Sequence, residues 1–495
     1  MSSIVGQIFV NLLNPICFFL VLVGGVLGTV LGAIPGLSGG LAIAVFLPAT
    51  FFMKAELSIP FLMAIYVGSM SGSYIGAILL GIPGTPSSIA TVYDGYQFTK
   101  KGDAVHALSV VTVCNFLGTI PSILIAMFFS PLLAKWALKL GPWEFFSLSF
   151  CAVMMVISLS KGNITKGLLS AGIAFLVSSV GTAPLCGTQR FTFGSYYLSS
   201  GFSITSVMLG LFAGITILME YAKQGEVAKV KQKVGHFKYY KRDFVHNRKN
   251  MFRSFLIGLW VGFLPGLGGS VSNQMAYAME KNASKTPDQF GKGCIDGCIA
   301  SETANNASLG GALIPFLALG IPGDMVTSLL LGALTIQGVQ AGPLVFRNSP
   351  KVVYLIFGAC LMTAIFVFLF EIIGMPIFPK ILSLSSHVLY PAILVVAICG
   401  AYTSSSNIFA VVMVLVFTAL GLFMAFLELP VGPFMLAYVL SNVLETNFRK
   451  GISYAGNGAW SFFTRPISCI LLLIAIGSVV YPCLKGIVLK KKVSV

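Results

Sequence analysis

The sequence predicts an all-α, polytopic transmembrane bundle of about 10–12 spans, built as two pseudo-repeats with broken or re-entrant helices. Three observations lead there. The chain is 56% hydrophobic and only 9% charged over 495 residues. Apolar runs long enough to cross a hydrocarbon core recur from one end to the other. Glycine and proline, 53 and 23 residues, interrupt those runs. A soluble chain of this length would carry roughly a quarter charged residues and divide into two or more domains; here the deficit of charge is spread over the whole length.

The runs can be taken in order. A spanning helix needs about 20 apolar residues, and such stretches lie at 16–52, 59–80, 107–134, 143–160, 165–183, 203–221, 251–279, 309–346, 352–374, 388–400, 407–428 and 466–488. In a bilayer a broken helix survives only where its freed backbone groups face protein or a water-filled cavity, so many breaks imply an internal cavity. The net charge of +16 invites a nucleic-acid partner, but the basic residues sit in short loops between apolar runs and read as topology signals. Lys223 to Arg253 holds ten Lys and Arg, and the tail carries Lys485, Lys490, Lys491 and Lys492. The positive-inside rule puts both the central loop and the C-terminus in the cytoplasm. The first basic residue is Lys54, so the leading apolar run lacks the positive flank of a cleaved signal peptide. Ten cysteines are scattered, mostly inside apolar runs, and read as small core residues. Cys294 and Cys298 lie one helical turn apart, without the second pair or nearby His that a metal site wants.

Two glycine-proline landmarks recur in the same order. Gly32-Ala33-Ile34-Pro35-Gly36-Leu37-Ser38-Gly39-Gly40 is echoed 230 positions later by Gly262-Phe263-Leu264-Pro265-Gly266-Leu267-Gly268-Gly269-Ser270. Leu80-Gly81-Ile82-Pro83-Gly84 is answered at an offset of 239 by Leu319-Gly320-Ile321-Pro322-Gly323. The chain therefore reads as a duplication: a first transmembrane repeat at 1–222, a basic cytoplasmic linker at 223–253 and a second transmembrane repeat at 254–495. One such break commonly only kinks a helix. Four in matched pairs point to a transporter's binding site near the midplane between the repeats. The sequence leaves parallel and inverted repeats equally open.

Three polar segments carry the candidate chemistry. Gly84-Thr85-Pro86-Ser87-Ser88 follows a long apolar span; Pro86 suits a first helical turn, Thr85 and Ser87 offer hydroxyls, and a helix start there would present free N–H groups to an anion. Lys281 to Gln289 reads as a loop running into a helix, with Thr286 as cap, Pro287 at the first position and Gln289 closing a capping box. That helix leads to Ser301-Glu302-Thr303-Ala304-Asn305-Asn306-Ala307-Ser308. An ionisable residue at membrane depth is costly and marks a functional site by default, so Glu302 is the leading cation ligand or proton carrier, with Thr303, Asn305 and Asn306 completing an oxygen-rich site. The alternative is that Glu302 bonds a neighbouring helix and the asparagines end one. Asp324 is a further intramembrane acid, or a water-exposed helix end. No phosphate-binding Gly-x-x-x-x-Gly-Lys-Ser/Thr loop is present, the histidines at 106, 236, 246 and 387 lack zinc spacing, and no Ser-His-Asp arrangement suggests itself, so neither a built-in ATPase nor another enzyme is expected.

With these residues in view the chain resembles, over nearly its whole length, the large membrane (permease) subunit of the tripartite tricarboxylate transporter family, TctA. The resemblance rests on Gly32-Ala33-Ile34-Pro35-Gly36; Ile82 to Pro86 with Asp94-Gly95-Tyr96 and Lys101-Gly102; Arg190 to Gly194; Leu264-Pro265-Gly266; Ala276-Tyr277 to Glu280-Lys281; Phe290 to Gly293; Glu302 to Ala307; Gly320 to Gly323; Gly342-Pro343; Gly400-Ala401-Tyr402; and Arg465-Pro466. It implies a secondary carrier in the cell (inner) membrane that imports tri- or dicarboxylates on a cation gradient. It also implies a small membrane subunit and an extracytoplasmic solute-binding protein as partners, and no cofactor beyond Na+ or H+ as coupling ion. The segments it carries over place substrate binding at Gly36, Ser38, Gly39 and Gly40, at Gly84 to Ser88, at Gly266, Gly268, Gly269, Ser270 and Asn273, and at Gly323. They place cation coupling at Glu302, Thr303, Asn305 and Asn306, to which the reading of Asp324 as an intramembrane acid adds a further candidate. Ser38-Gly39-Gly40 departs from the family's Gly-Pro-Thr, Ala183 and Ser200 stand where relatives carry acids, and Asp324 stands where a small residue is usual. A passive channel for small organic anions is the alternative, set apart by flux without saturation or coupling.

Overall fold

The computed structural model describes residues 11–158, 164–222, 234–383, 386–405, 407–454 and 458–493; positions 223–233 of the basic loop lie outside them. In the first half the helices are α1 (Pro15–Ala33), α2 (Gly39–Phe46), α3 (Ala55–Leu80), α4 (Ile89–Lys100), α5 (Ala104–Ala137), α6 (Pro142–Ser158) and α7 (Ile164–Ser178). A two-stranded antiparallel ribbon, β1 (Gly181–Thr182) and β2 (Gln189–Arg190), follows. The half closes with α8 (Ile204–Met208), a wide π turn at Leu209–Gly214 and α9 (Ile215–Ala222). The second half holds α10 (Lys241–Phe263), α11 (Gly268–Ala283), α12 (Ile295–Leu319), α13 (Met325–Ile336), α14 (Val345–Asn348), α15 (Pro350–Gly374) and α16 (Phe378–Leu382). It ends with α17 (Ser386–Ser405), α18 (Ile408–Phe426), α19 (Val431–Ser453), α20 (Ser461–Thr464) and α21 (Pro466–Val493).

Among the described residues five stretches are long and apolar enough to cross a membrane, α1, α3, α5, Pro350–Leu382 and α18; the pair at Gly458–Thr464 and Pro466–Val480, bent by 89°, makes a sixth if taken as one span. Shorter apolar helices, among them Gly39–Thr50, α6, α7 and α13, fill in between. The long runs seen in the sequence are thus partly hairpins: 16–52 resolves into α1 and α2, and 251–279 into α10 and α11.

Glycine sets how these helices meet. A β-carbon at Gly24, Gly28 or Gly32 of α1 would run into the backbone carbonyls of Phe61, Ile65 or Ser69 on α3. Both sets of numbers rise together, so α1 and α3 lie parallel, backbone against backbone, as small residues at every fourth position allow. After α1 the chain turns at Gly36 (φ 88°) and α2 doubles back from the level of Ser69. The second half repeats two of the three contacts: Gly258 and Gly262 of α10 lie against the carbonyls of Ala304 and Ser308 on α12, displaced by the same 230 and 239 positions as the motifs, while Ser254 stands at the position matching Gly24. Its turn at Gly266 has φ 78°. The helix ends match as well, Gly81 at φ 72°, ψ 16° and Gly320 at φ 71°, ψ 24°, a left-handed stop that glycine adopts without strain.

The two helix pairs run in opposite directions. α3 ends where Thr99 bonds the Ile78 carbonyl and α5 begins. α12 begins at that same end, where Asn247 of α10 donates to Asp296 at 2.8 Å and His106 of α5 meets Asp243 at 2.7 Å. The remaining helices are exchanged between halves. α19 packs on α6 and α7, and α18 and α17 pack on the π turn. Trp143 donates to the Gly451 carbonyl at 3.0 Å, Ser170 to Pro430 at 2.6 Å and Ser206 to Ala410 at 3.0 Å.

The helix start expected at Thr286 is displaced. Residues 287–289 form one short 3-10 turn without a side-chain cap, and α12 starts at Ile295. Gly291 (φ 87°) and Gly293 (φ 98°) take left-handed geometry between the two and stop the turn from propagating.

Candidate functional site at the four helix breaks

The four breaks meet. Gly84 sits against the Gly32 carbonyl, joining the first two, and Gly266 N–H donates to the Gly323 carbonyl at 2.8 Å, joining the last two. Across the halves, a β-carbon at Gly269 would lie 3.0 Å from Ser87 Cβ and collide with Asn305 Oδ1, and one at Gly39 would lie 3.7 Å from Val326. Tyr66 of α3 donates to Asp324 Oδ2 at 2.6 Å. Of the positions named from the sequence for substrate binding, Gly39, Gly84, Ser87, Gly266, Gly269 and Gly323 therefore lie where these breaks touch. Ser38 caps α2 through Leu41 N–H at 3.1 Å, Thr85 and Ser87 share a 2.7 Å bond, and Ser88 donates to the Ser73 carbonyl at 3.1 Å. Ser270 turns back to the Leu267 carbonyl at 3.4 Å. Gly40 and Gly268 are buried, while Gly36 and Pro86 are exposed.

Glu302, Asn305 and Asn306, named from the sequence for cation coupling, form a buried polar chain that reaches both halves. Glu302, fully buried on α12, accepts from Thr91 of α4 on Oε1 and from Asn305 Nδ2 at 3.1 Å on Oε2. Thr91 also lies 3.1 Å from Ser301 and accepts from Asn273 at 3.3 Å. Asn273 in turn accepts from Ala90 N–H at 2.8 Å, occupying a donor at the start of α4. Asn306 accepts from Ser71 at 3.0 Å and Thr119 at 3.2 Å, and donates to the Glu302 carbonyl at 3.2 Å. Two buried oxygens lack partners, Asn305 Oδ1 facing Gly269 and Thr303 Oγ1. Asp324 stands apart as the N-cap of α13, in a reciprocal capping box with Thr327 (2.7 and 2.9 Å).

Two participants were invisible in the sequence, Tyr66 and Thr91, and Asp94, seen there only as part of a motif, gains a role. Asp94 is buried on α4; its Oδ1 accepts from the N–H groups of Gly291, Gly293 and Cys294 at 2.8–2.9 Å, and its Oδ2 from Tyr277 at 2.8 Å. The left-handed glycines curl those N–H groups into a nest for a carboxylate, which is why two distant motifs dock. Lys101 adds a bond to the Lys292 carbonyl at 2.8 Å.

Cavities open on either side of the breaks. One of about 780 Å³ lies at the Gly320 end, lined among others by Arg190, Thr335, Tyr438, Asn442 and Glu445, with Arg190 holding Glu445 in a two-pronged pair at 2.9 and 3.0 Å. Another of about 450 Å³ lies at the opposite end, where Tyr93, Tyr96, Tyr277 and Lys281 line it.

Residues 18–436 match the tripartite tricarboxylate transporter TctA family. An uncharacterised 52.8 kDa protein from the TAR-I ttuC' 3' region of Agrobacterium vitis is 32% identical over 479 residues, covering 97% of this chain and 95% of that one. An uncharacterised protein from the TAR-II ttuC' 3' region of the same organism is 32% identical over 230 residues, 46% of this chain and 95% of its own length. No solved structure matches the chain. A helical bundle of apolar spans folded around matched helix breaks, carrying that family's sequence almost end to end, is a multi-pass membrane component of a tricarboxylate transporter: the chain belongs to the tripartite tricarboxylate transporter TctA family.

Proposed function

We propose that this chain is the permease through which tri- or dicarboxylates, delivered by an extracytoplasmic solute-binding protein, enter the cell on a sodium or proton gradient, with a small membrane subunit alongside. The observation that carries the reading is the meeting of four helix breaks around one buried polar core. Backbone N–H groups and hydroxyls at 36–40, 84–88 and 266–273 hold the carboxylates, as helix starts do for anions generally. A cation bound at Glu302, Thr303, Asn305 and Asn306 lowers the cost of an anion beside it, and Asp324 fixes the start of α13 next to the same core. The matched contacts and opposed directions of α1–α3 and α10–α12 support an inverted duplication, the arrangement in which one part rocks against another around a central site. The basic end, holding the central loop, faces the cytoplasm; the cavity at the Gly320 end then faces outward and receives substrate.

The test is uptake into vesicles holding the complete tripartite system, with sodium or proton gradients imposed separately. Saturable accumulation of citrate or a related carboxylate against its gradient is expected. Flux that neither saturates nor follows either gradient would replace the carrier with a passive channel. Glu302→Gln should abolish gradient-driven uptake while the complex still assembles, and unchanged uptake would remove Glu302 from coupling.

A further inference from the structure

Glu371 lies in the last turn of the apolar helix α15 and is 1% exposed. It lines a hole of about 10 Å³ with Ser71 of α3 and Thr112, Asn115 and Thr119 of α5, room for about one water or one bare alkali cation. Phe116 and Phe368, stacked at 4.4 Å, flank it.

Most donors around this hole are committed elsewhere, while the Tyr74–Thr112 pair keeps one hydroxyl proton that Tyr74 can offer to Glu371. Tyr74 and Thr112 share a 2.6 Å bond, Ser71 and Thr119 both donate to Asn306 Oδ1, and Asn115 gives its amide to the Ser71 carbonyl at 3.1 Å. Acceptors outnumber that one proton: among the described residues Glu371 Oε1 and Asn115 Oδ1 have no partner, and the three hydroxyl oxygens keep lone pairs. No Lys, Arg or His lines the hole. A carboxylate at membrane depth without a counter-charge is costly. Water could serve both orphan acceptors but would leave the charge standing. A single carboxylate among neutral oxygens suits one positive charge with hard ligands. No group of three or more His, Cys, Asp and Glu occurs among the described residues to suggest a more highly charged metal.

We infer that this hole is a binding site for a sodium-sized monovalent cation, separate from the Glu302 cluster, with Glu371 and Asn115 as its principal ligands and the Ser71, Thr112 and Thr119 hydroxyls completing the shell. Asn306 links the two sites, accepting from Ser71 and Thr119 and donating to the Glu302 carbonyl.

The test is equilibrium binding of radioactive sodium to the purified full-length chain in lipid nanodiscs, with choline holding the ionic strength, alongside melting temperatures. Glu371→Gln should lose one sodium per chain without melting lower in choline. Thr112→Val, which removes one oxygen and keeps the shape, should weaken the same site about tenfold, and it decides the matter if the first variant does not fold. Glu302→Gln should keep the Glu371 sodium, so loss of coupling at Glu302 reads separately. A sodium count unchanged in Glu371→Gln and an affinity unchanged in Thr112→Val would overturn the assignment. So would an unaltered chain whose melting follows pH but not sodium, since that describes a proton site.

Discussion

At the scale of single residues, the carboxylates of this bundle divide by what holds them. Glu302 has two neutral donors and Asp94 has four. Asp94 is thus a fastener between the halves. Asp94→Ala strands three N–H groups, of which that of Cys294 is buried and those of Gly291 and Gly293 are partly so; a buried one costs about 1–3 kcal/mol when left unmet, and the loss should appear as a lower melting temperature, with Asp94→Asn recovering part of it. Glu302 is legible in the sequence because the polar run around it breaks an apolar stretch. Glu371, at the end of the 352–374 run, falls under the same rule about ionisable residues but has no polar neighbours in sequence to mark it. Thr91 was beyond reach in principle, because nothing in a threonine's own surroundings says that a helix 211 positions away will bring a carboxylate to it.

At the scale of elements, the glycine-proline landmarks were legible as breaks because left-handed turns have few other solutions. Gly36, Gly81, Gly266 and Gly320 all take positive φ. The Thr286 cap failed for the complementary reason: local capping grammar was present, but the Asp94 nest commandeers the next residues. Equally hidden was the use of Gly28 and Gly258 as contact points, since an isolated glycine in an apolar run looks like any small residue. Gly28→Ala and Gly258→Ala should each force the paired helices apart and cost about 1–3 kcal/mol, seen as reduced thermal stability in detergent. Gly172 of α7 and Gly432 of α19, with open space where a β-carbon would go, are the controls, and Gly→Ala there should change little.

At the scale of the whole molecule, membrane class and helical architecture followed from composition alone, whereas the exchange of helices between halves did not. Pairing of α19 with α6 and α7, and of α18 with the π turn, depends on direction and depth, which hydropathy does not encode. A chain cut within 223–233 and expressed as two pieces should still co-purify as a complex, because those contacts hold the halves together. Residues 1–222 alone should aggregate or be degraded; a stable, monodisperse fragment would contradict the interlock.

The interlock also orders events at the ribosome. α6 and α7 leave the translocon roughly 270 residues before α19, the partner that covers Trp143 and Ser170, has been made. Through most of synthesis that surface rests against lipid or an insertion chaperone. Late truncations should then be as damaging as early ones, and a nonsense codon near residue 430 should yield a product cleared by proteolysis despite carrying every helix break of the candidate site.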